Sequence, residues 1–191
     1  DIRISDRYST CSVGGYRRAR PVKDPNLHEF EWVLIKEGVD LDWGGLQAVD
    51  IGAAEGFFTL QAARLGARVN VIQPPGDFRP RLETLRDYLG FRSQINVTEG
   101  YYPADGGGLV ANADIVLCLG LLYHLNNLVE GLGPMVKSKG NLVIEGMFLP
   151  DDYPLGDDGI AVGFDPITHL NKERICSRWL TGYLSQQGFD V

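Results

Sequence analysis

"AVDIGAAEGFFTLQAARLGARVNVIQPP", Ala48 to Pro75, is the stretch whose reading decides the fold. It begins with a short apolar run ending in a turn, which is the pattern of a buried strand. A helix follows that is apolar nearly all round and is closed by Gly66; a second apolar run, Ala67 to Gln73, is the next strand. The turn between the first strand and the helix reads Asp50-Ile51-Gly52-Ala53-Ala54-Glu55-Gly56. Backbone N–H groups can approach a ligand there only if the side chains are small or absent, a need that Gly52 and Gly56 meet and Ala53 and Ala54 nearly meet. The helix also points its free N–H groups and positive dipole end into the same crevice, which suits a carboxylate or a phosphate.

Two ligand classes compete for such a turn. A dinucleotide fold asks for G-x-G-x-x-G with an acid about 20 residues on. Its second and third glycines fall here on Ala54 and Phe57, and a pyrophosphate would lie beside the like-charged Glu55. Asp50 suits a ligand that carries an ammonium group. S-adenosyl-L-methionine has both an ammonium, which Asp50 attracts, and a carboxylate, which the helix N-terminus receives. Two departures stand out. Ala54 replaces a common glycine, at a cost of about 1 kcal/mol if its φ is positive and little if negative. Gln73 ends the second strand where Asp or Glu is usual, so its ribose contact would lack charge assistance.

The rest of the chain repeats the alternation. "DPNLHEFEWVLIKEG" reads as a helix with Asp24 as N-cap, Pro25 in the first turn and Gly38 at its end. "GDFRPRLETLRDYLG" is a further helix, with Asp77 as N-cap, Pro80 in the first turn and Gly90 as stop; Asn126 to Lys137 is another. "SQINVTEG", "ADIVLCLG" and "GNLVIEGMF" are strands, and the final "FDV" would start a sixth. Residues 150 to 170 are rich in Pro, Gly and Asp and read as a long loop, of a length usually tied to function. "NKERICSRWLTGYLSQQG" is a last helix with Asn171 as N-cap, and residues 1 to 23 read as an irregular arm. The expectation is an α/β, Rossmann-like, doubly wound and mostly parallel sheet over residues 24 to 191. Ligands bind in such sheets beyond the C-terminal strand ends, where Asp50 to Gly52 should lie.

On these residues a resemblance can be stated. The opening stretch resembles motif I and the following strand of class I S-adenosylmethionine-dependent methyltransferases, and "ADIVLCLGLLYHLNN" resembles their fourth-strand motif. More narrowly, "LGLLYHL", "GNLVIEGMFLPDD" and "WLTGYLSQQGFDV" look like the methyltransferases related to tRNA wobble-uridine carboxymethyltransferases. The resemblance covers roughly residues 46 to 191 and implies a class I methyltransferase fold that lacks its last strands. It implies that Asp50, Gly52 and Ala54, with Ala53, Gly56 and Phe57, form the methionine-end turn. Gln73 takes the ribose position, and Glu99, Gly100 and Tyr101 lie near the adenine. Cys118, Leu119, Gly120 and Leu121 line the floor under the sulfonium, while Tyr123 and His124 face the substrate. His124 is the candidate base, since an unperturbed His titrates near neutral pH.

Composition narrows the function. A net charge of −7 over 191 residues disfavours a nucleic-acid binder, and "YRRAR", Tyr16 to Arg20, is the sole basic run, read as a solvated loop. The expected acceptor is an oxygen or nitrogen of a small molecule or glycan, with residues 150 to 170 as a lid. Cys11, Cys118 and Cys176 show no metal-ligand spacing and no disulfide framework, so no metal is expected and a reducing, cytoplasmic location is. No apolar run approaches a membrane span. His28 and His169 are read as structural, and the tyrosines Tyr101, Tyr102 and Tyr123 as either stacking platforms or core-edge residues. A chain opening on Asp1 and stopping at Val191 is expected to be part of a longer protein. Two other readings stay open: a methyltransferase-like module without activity, and a tRNA-modifying transferase.

Overall fold

The structure, a computed structural model, describes residues 2–4, 27–39, 41–138, 140–146, 148–154, 156, 160–165 and 170–191. Its centre is a six-stranded sheet in the order β1-β6-β5-β2-β3-β4, every neighbouring pair parallel. The strands are β1 (Ile2–Ile4), β2 (Gln47–Ile51), β3 (Arg68–Gln73), β4 (Ile95–Glu99), β5 (Ile115–Leu119) and β6 (Asn141–Glu145). The central strands β2 and β5 are buried on both faces, which explains why they read as continuous apolar runs rather than alternating ones.

Alternate strand residues feed two cores. On one face Ala48, Val69, Val71, Ile115 and Leu117 pack under α1 (Leu27–Val39), α2 (Phe57–Arg64) and α3 (Phe78–Tyr88). On the other, Val49, Ile72, Val116, Cys118 and Ile144 pack under α4 (Gly107–Ala111), α5 (Leu128–Lys137) and α6 (Ser177–Gln186). The helix boundaries follow their punctuation. Gly66 and Gly90 take positive φ just after α2 and α3, as a left-handed stop requires. Asn127 caps α5 by accepting the Glu130 N–H at 2.9 Å. Asp24 and Pro25 lie outside the described residues.

Four expectations are corrected. Ile2–Ile4, placed in the irregular arm, form β1 and pair with Leu142–Ile144 along the outer edge of β6. The stretch 150–170, read as loop, contains β7 (Ala161–Asp165), which pairs antiparallel with β8 (Leu170–Arg174) in a separate two-stranded sheet. That pairing takes "NKER" out of the last helix despite its helix-favouring residues. α6 therefore starts at Ser177 with Cys176 as its cap, the Sγ accepting the Trp179 N–H at 3.4 Å, and Asn171 lies within β8 rather than at a helix start. Finally, "FDV" forms no strand. Gly188, at φ 90°, stops α6, the Phe189 N–H returns to the Leu184 carbonyl at 3.1 Å, and Phe189 packs on the core. This is the Schellman arrangement, in which the residue after the glycine is an apolar plug.

Candidate cofactor and acceptor site

Strands β2, β3 and β4 run outward in one direction, and β5, β6 and β1 in the other. The order therefore switches between β2 and β5, and in such sheets ligands bind at the C-terminal strand ends beside that switch. Gly52 follows β2 and Gly120 follows β5, with φ of 75° and 68°. Their N–H groups are pinned to neighbouring strands, Gly52 to the Ile72 carbonyl at 2.8 Å and Gly120 to the Glu145 carbonyl at 2.9 Å. A Cβ on Gly52 would stand 3.6 Å from Leu121 Cδ1, so the turns after β2 and β5 lie side by side.

The turn after β2 is held as much by packing as by openness to a ligand. Asp50 is 2% exposed. It accepts the Thr59 hydroxyl at 2.5 Å, and the Thr59 N–H also points to it. Burial nevertheless pushes its carboxyl up to about 6, with both Thr59 bonds pulling the other way. Asp50 thus ties β2 to the first turn of α2. Ala54 has φ 50°, the one non-glycine residue with positive φ among the described residues. The costly branch of the expectation applies, at about 1 kcal/mol. Gly56, at φ 85°, has a packing reason of its own: a Cβ there would come 2.1 Å from Leu82 Cδ1 on α3. The Phe57 ring lies 5.5 Å from His28 of α1 and 5.2 Å from Phe58, so this side chain fills the space toward α1. Ala53 is partly buried against the same core.

At the end of β3, Gln73 is 2% exposed, and its Oε1 has no hydrogen-bond partner. A buried acceptor left unpaired costs about 1–3 kcal/mol, so this atom is waiting for a donor. Glu99, beside it on β4, is tied to Arg79 Nη1 at 3.2 Å, and Arg79 also reaches Glu83. The turn after β4 is fastened by Asp105, which accepts the Tyr101 N–H at 2.8 Å. A Cβ on Gly100 would meet Asp105 Cβ at 2.5 Å. The Tyr101 ring is open, 64% exposed.

Across the switch, Cys118 is fully buried, and burial followed by the fields of Glu145 and Asp50 holds it as a neutral thiol. Leu119 and Gly120 are half-buried at the strand end. A short 3-10 turn, Leu122–His124, then carries Tyr123 inward and leaves His124 exposed, the two rings 4.4 Å apart. Arg174 of β8 donates to the Tyr123 carbonyl at 3.0 Å, so the unforeseen hairpin braces this turn. Glu145, the last residue of β6, was absent from the sequence reading. A carboxylate ending an otherwise apolar strand, "NLVIE", is the signal that points to it. A Cβ on Gly120 would lie 3.3 Å from Tyr123 Oη and 3.7 Å from Glu145 Oε2, so both groups look onto the bare side of Gly120. Burial, then the charge of Glu31 on α1, pushes the Glu145 carboxyl up to about 7. Glu31 itself receives His28 Nδ1 at 3.1 Å.

All the sequence-predicted residues therefore sit along one edge of the sheet, in two groups on either side of the switch. Among the described residues no cluster of His, Cys, Asp and Glu could hold a metal ion. His169 and Cys11 lie outside the described residues.

This edge can be compared with known proteins. No family model matches the sequence, and no curated protein matches it. Solved structures do. The N-terminal domain of EvdMO1, crystallised in the presence of S-adenosylhomocysteine and D-fucose, superposes with a TM-score of 0.61 at 17% identity, over 83% of this chain and 71% of that one. The fold is that of the class I methyltransferases. A second neighbour with this methyltransferase fold is an S-adenosylmethionine-dependent methyltransferase from Thiobacillus denitrificans in complex with S-adenosylhomocysteine. It has a TM-score of 0.50 at 17% identity, over 61% of this chain and 47% of that one. The [4+2]-cyclase SpnF also shares it, with a TM-score of 0.58 at 17% identity over 85% and 57% of the two chains. Against the full EvdMO1 structure this chain spans 35% of the length.

Proposed function

We propose that this protein binds S-adenosyl-L-methionine and transfers its methyl group to an oxygen or nitrogen of a small molecule or glycan. The observation that carries the reading is the buried, unpartnered Gln73 Oε1 at the crevice edge, a polar atom that a ribose hydroxyl would satisfy. In this reading the α2 N-terminus and the Gly52–Gly56 turn receive the methionine carboxylate, Asp50 draws the ammonium, and Tyr101 stacks beside the adenine. Cys118 to Leu121 form the floor, and Tyr123 and His124 border the acceptor. The cofactor supplies a methyl carbon already activated by sulfonium; the residues around Gly120 have to align an acceptor with it.

The class of acceptor is supported by charge. The chain carries −7, and no extended basic stripe is present in its sequence to follow a nucleic-acid backbone, which weighs against the tRNA-modifying reading. EvdMO1 was crystallised with a sugar present. The free, buried Cys118 and Cys176 suit the cytoplasm, and no helix among the described residues is long and apolar enough to cross a membrane. Residues 24–191, together with the edge strand Ile2–Ile4, form the catalytic unit.

A second reading, a module that keeps the fold without activity, draws on Ala54 at φ 50° and on the missing acid at Gln73. Calorimetry with S-adenosylhomocysteine decides between them. Micromolar binding is expected; no heat and no thermal shift at millimolar ligand would leave the inactive module standing.

A further inference from the structure

We propose that the ribose clamp is divided between two strands: Gln73 and Glu99 each accept one hydroxyl of the ribose diol, and Arg79 is the positioning residue that holds Glu99 for the task. The inference rests on the methyltransferase reading above and deepens it at the ribose of the cofactor.

A vicinal diol brings two O–H donors on adjacent carbons. A carboxylate offers them two acceptor oxygens, whereas the Gln73 amide offers one oxygen and an NH2 group that only donates. Gln73 Oε1, in a side chain buried to 2% exposure and without a partner, accounts for one hydroxyl. The other hydroxyl still has a proton to place, and leaving it unpaired on binding would cost affinity.

Glu99 stands where the second acceptor is needed. Gln73 and Glu99 are the last residues of β3 and β4 and are in-register neighbours. In-register side chains of adjacent parallel strands share a face and lie about 4.8 Å apart. The alternation below them sets that face, since Val69, Val71, Ile95 and Val97 all pack into the core under α1, α2 and α3. The Gly100 N–H donates to the Gln73 carbonyl at 2.9 Å and fixes the spacing at the strand ends. Gln73 is buried and neutral, while the Glu99 side chain is 44% exposed. The charge therefore sits one strand further out than an acid on β3 would place it, and the cost of burying an anion is avoided.

Arg79, in the first turn of α3, sets the direction of that carboxylate. Its Nη1 holds Glu99 Oε2 at 3.2 Å, and its Nε holds Glu83 Oε1 at 3.2 Å. The planar guanidinium fixes both contacts at once, which a lysine ammonium would not. Among the described residues no other ion pair reaches Glu99, so its Oε1 is left to accept a hydroxyl.

The test is calorimetry of the intact protein with S-adenosylhomocysteine and with its 2′-deoxy and 3′-deoxy analogues. Wild type should bind each analogue about tenfold more weakly than the parent. E99A should bind the parent about tenfold more weakly, cease to discriminate against one analogue and still discriminate against the other. E99Q, which keeps an acceptor without the charge, should lie between E99A and wild type. R79A should cost about threefold in wild type and nothing in E99A, because Arg79 acts through Glu99. In Q73E, whose carboxylate can take both hydroxyls, E99A should cost less than about twofold. Wild-type affinity in E99A, full discrimination of both analogues by E99A, or an R79A cost that persists without Glu99 overturns the proposal. If wild type fails to bind S-adenosylhomocysteine, the methyltransferase reading itself falls; if wild type and E99A bind it equally well, only the divided clamp does.

Discussion

The two halves of the crevice are built by different means. The turn after β2 is a continuous run of sequence, and its residues answer to neighbours within the fold: Asp50 to Thr59, Gly56 to Leu82, Phe57 to His28. The opposite rim gathers Gly120, Tyr123 and Glu145 from the ends of two adjacent parallel strands and a short turn. There Tyr123 and Glu145 lie on either side of the bare Cα of Gly120. The first half doubles as a structural joint; the second is free to specialise for chemistry. Substitutions in the first should therefore shift stability, up or down, and those in the second should leave the fold intact and act on turnover.

The largest effect that separates the halves should come from Asp50. An unfolded Asp loses its proton near 3.8, while the folded one keeps it to about 6. Between those values the native state binds more protons than the unfolded state, so stability falls as pH rises and is fully reduced above 6. The loss is about 3 kcal/mol. Urea unfolding at pH 4.5 and 7 should show it, and D50N should flatten the difference. An ammonium ligand offsets the same cost, so S-adenosylhomocysteine should bind more tightly at pH 7 than at pH 5 in wild type and not in D50N. By contrast E145Q should be at least as stable as wild type at pH 8, because it removes a carboxylate that burial and Glu31 disfavour.

Gly56→Ala comes next. Both its φ of 85° and the 2.1 Å approach to Leu82 oppose a side chain. A loss of about 2–3 kcal/mol in thermal or urea unfolding is expected. A loss of ligand affinity with unchanged stability would instead mark Gly56 as a ligand glycine. Gln73 should behave in the opposite sense. Q73E should raise S-adenosylhomocysteine affinity about tenfold through charge-assisted bonds to ribose, while lowering the stability of the ligand-free protein. Smallest of all, A54G should stabilise by about 0.5–1 kcal/mol, since glycine adopts the left-handed conformation without penalty.

The same division explains what could be read in the sequence. The parallel sheet and the tight turn after β2 were legible because each is written locally, in apolar runs and glycine stops. The sign of φ at Ala54 was not, since Gly52 and Gly56 flank it with turn residues that fit either branch. Glu145 was missed because its meaning depends on β6 lying beside β5, which brings it to Gly120 from 25 residues away. The β7–β8 hairpin was missed because "NKER" has helical propensity, and only pairing with Ala161–Asp165 overrides it. β1 was missed because three residues carry too little periodicity to stand out.

That last strand bears on how the chain folds. Ile2 aligns with Leu142 and Ile4 with Ile144, so this contact closes a loop that contains nearly every other element of the sheet. Such a closure pays a large entropic cost and forms only after the local units have gathered. During synthesis Ile2–Ile4 must wait, unpaired, until β6 has left the ribosome. The outer edge of β6 is then briefly open to any extended chain, and β1 is the latch that shuts it.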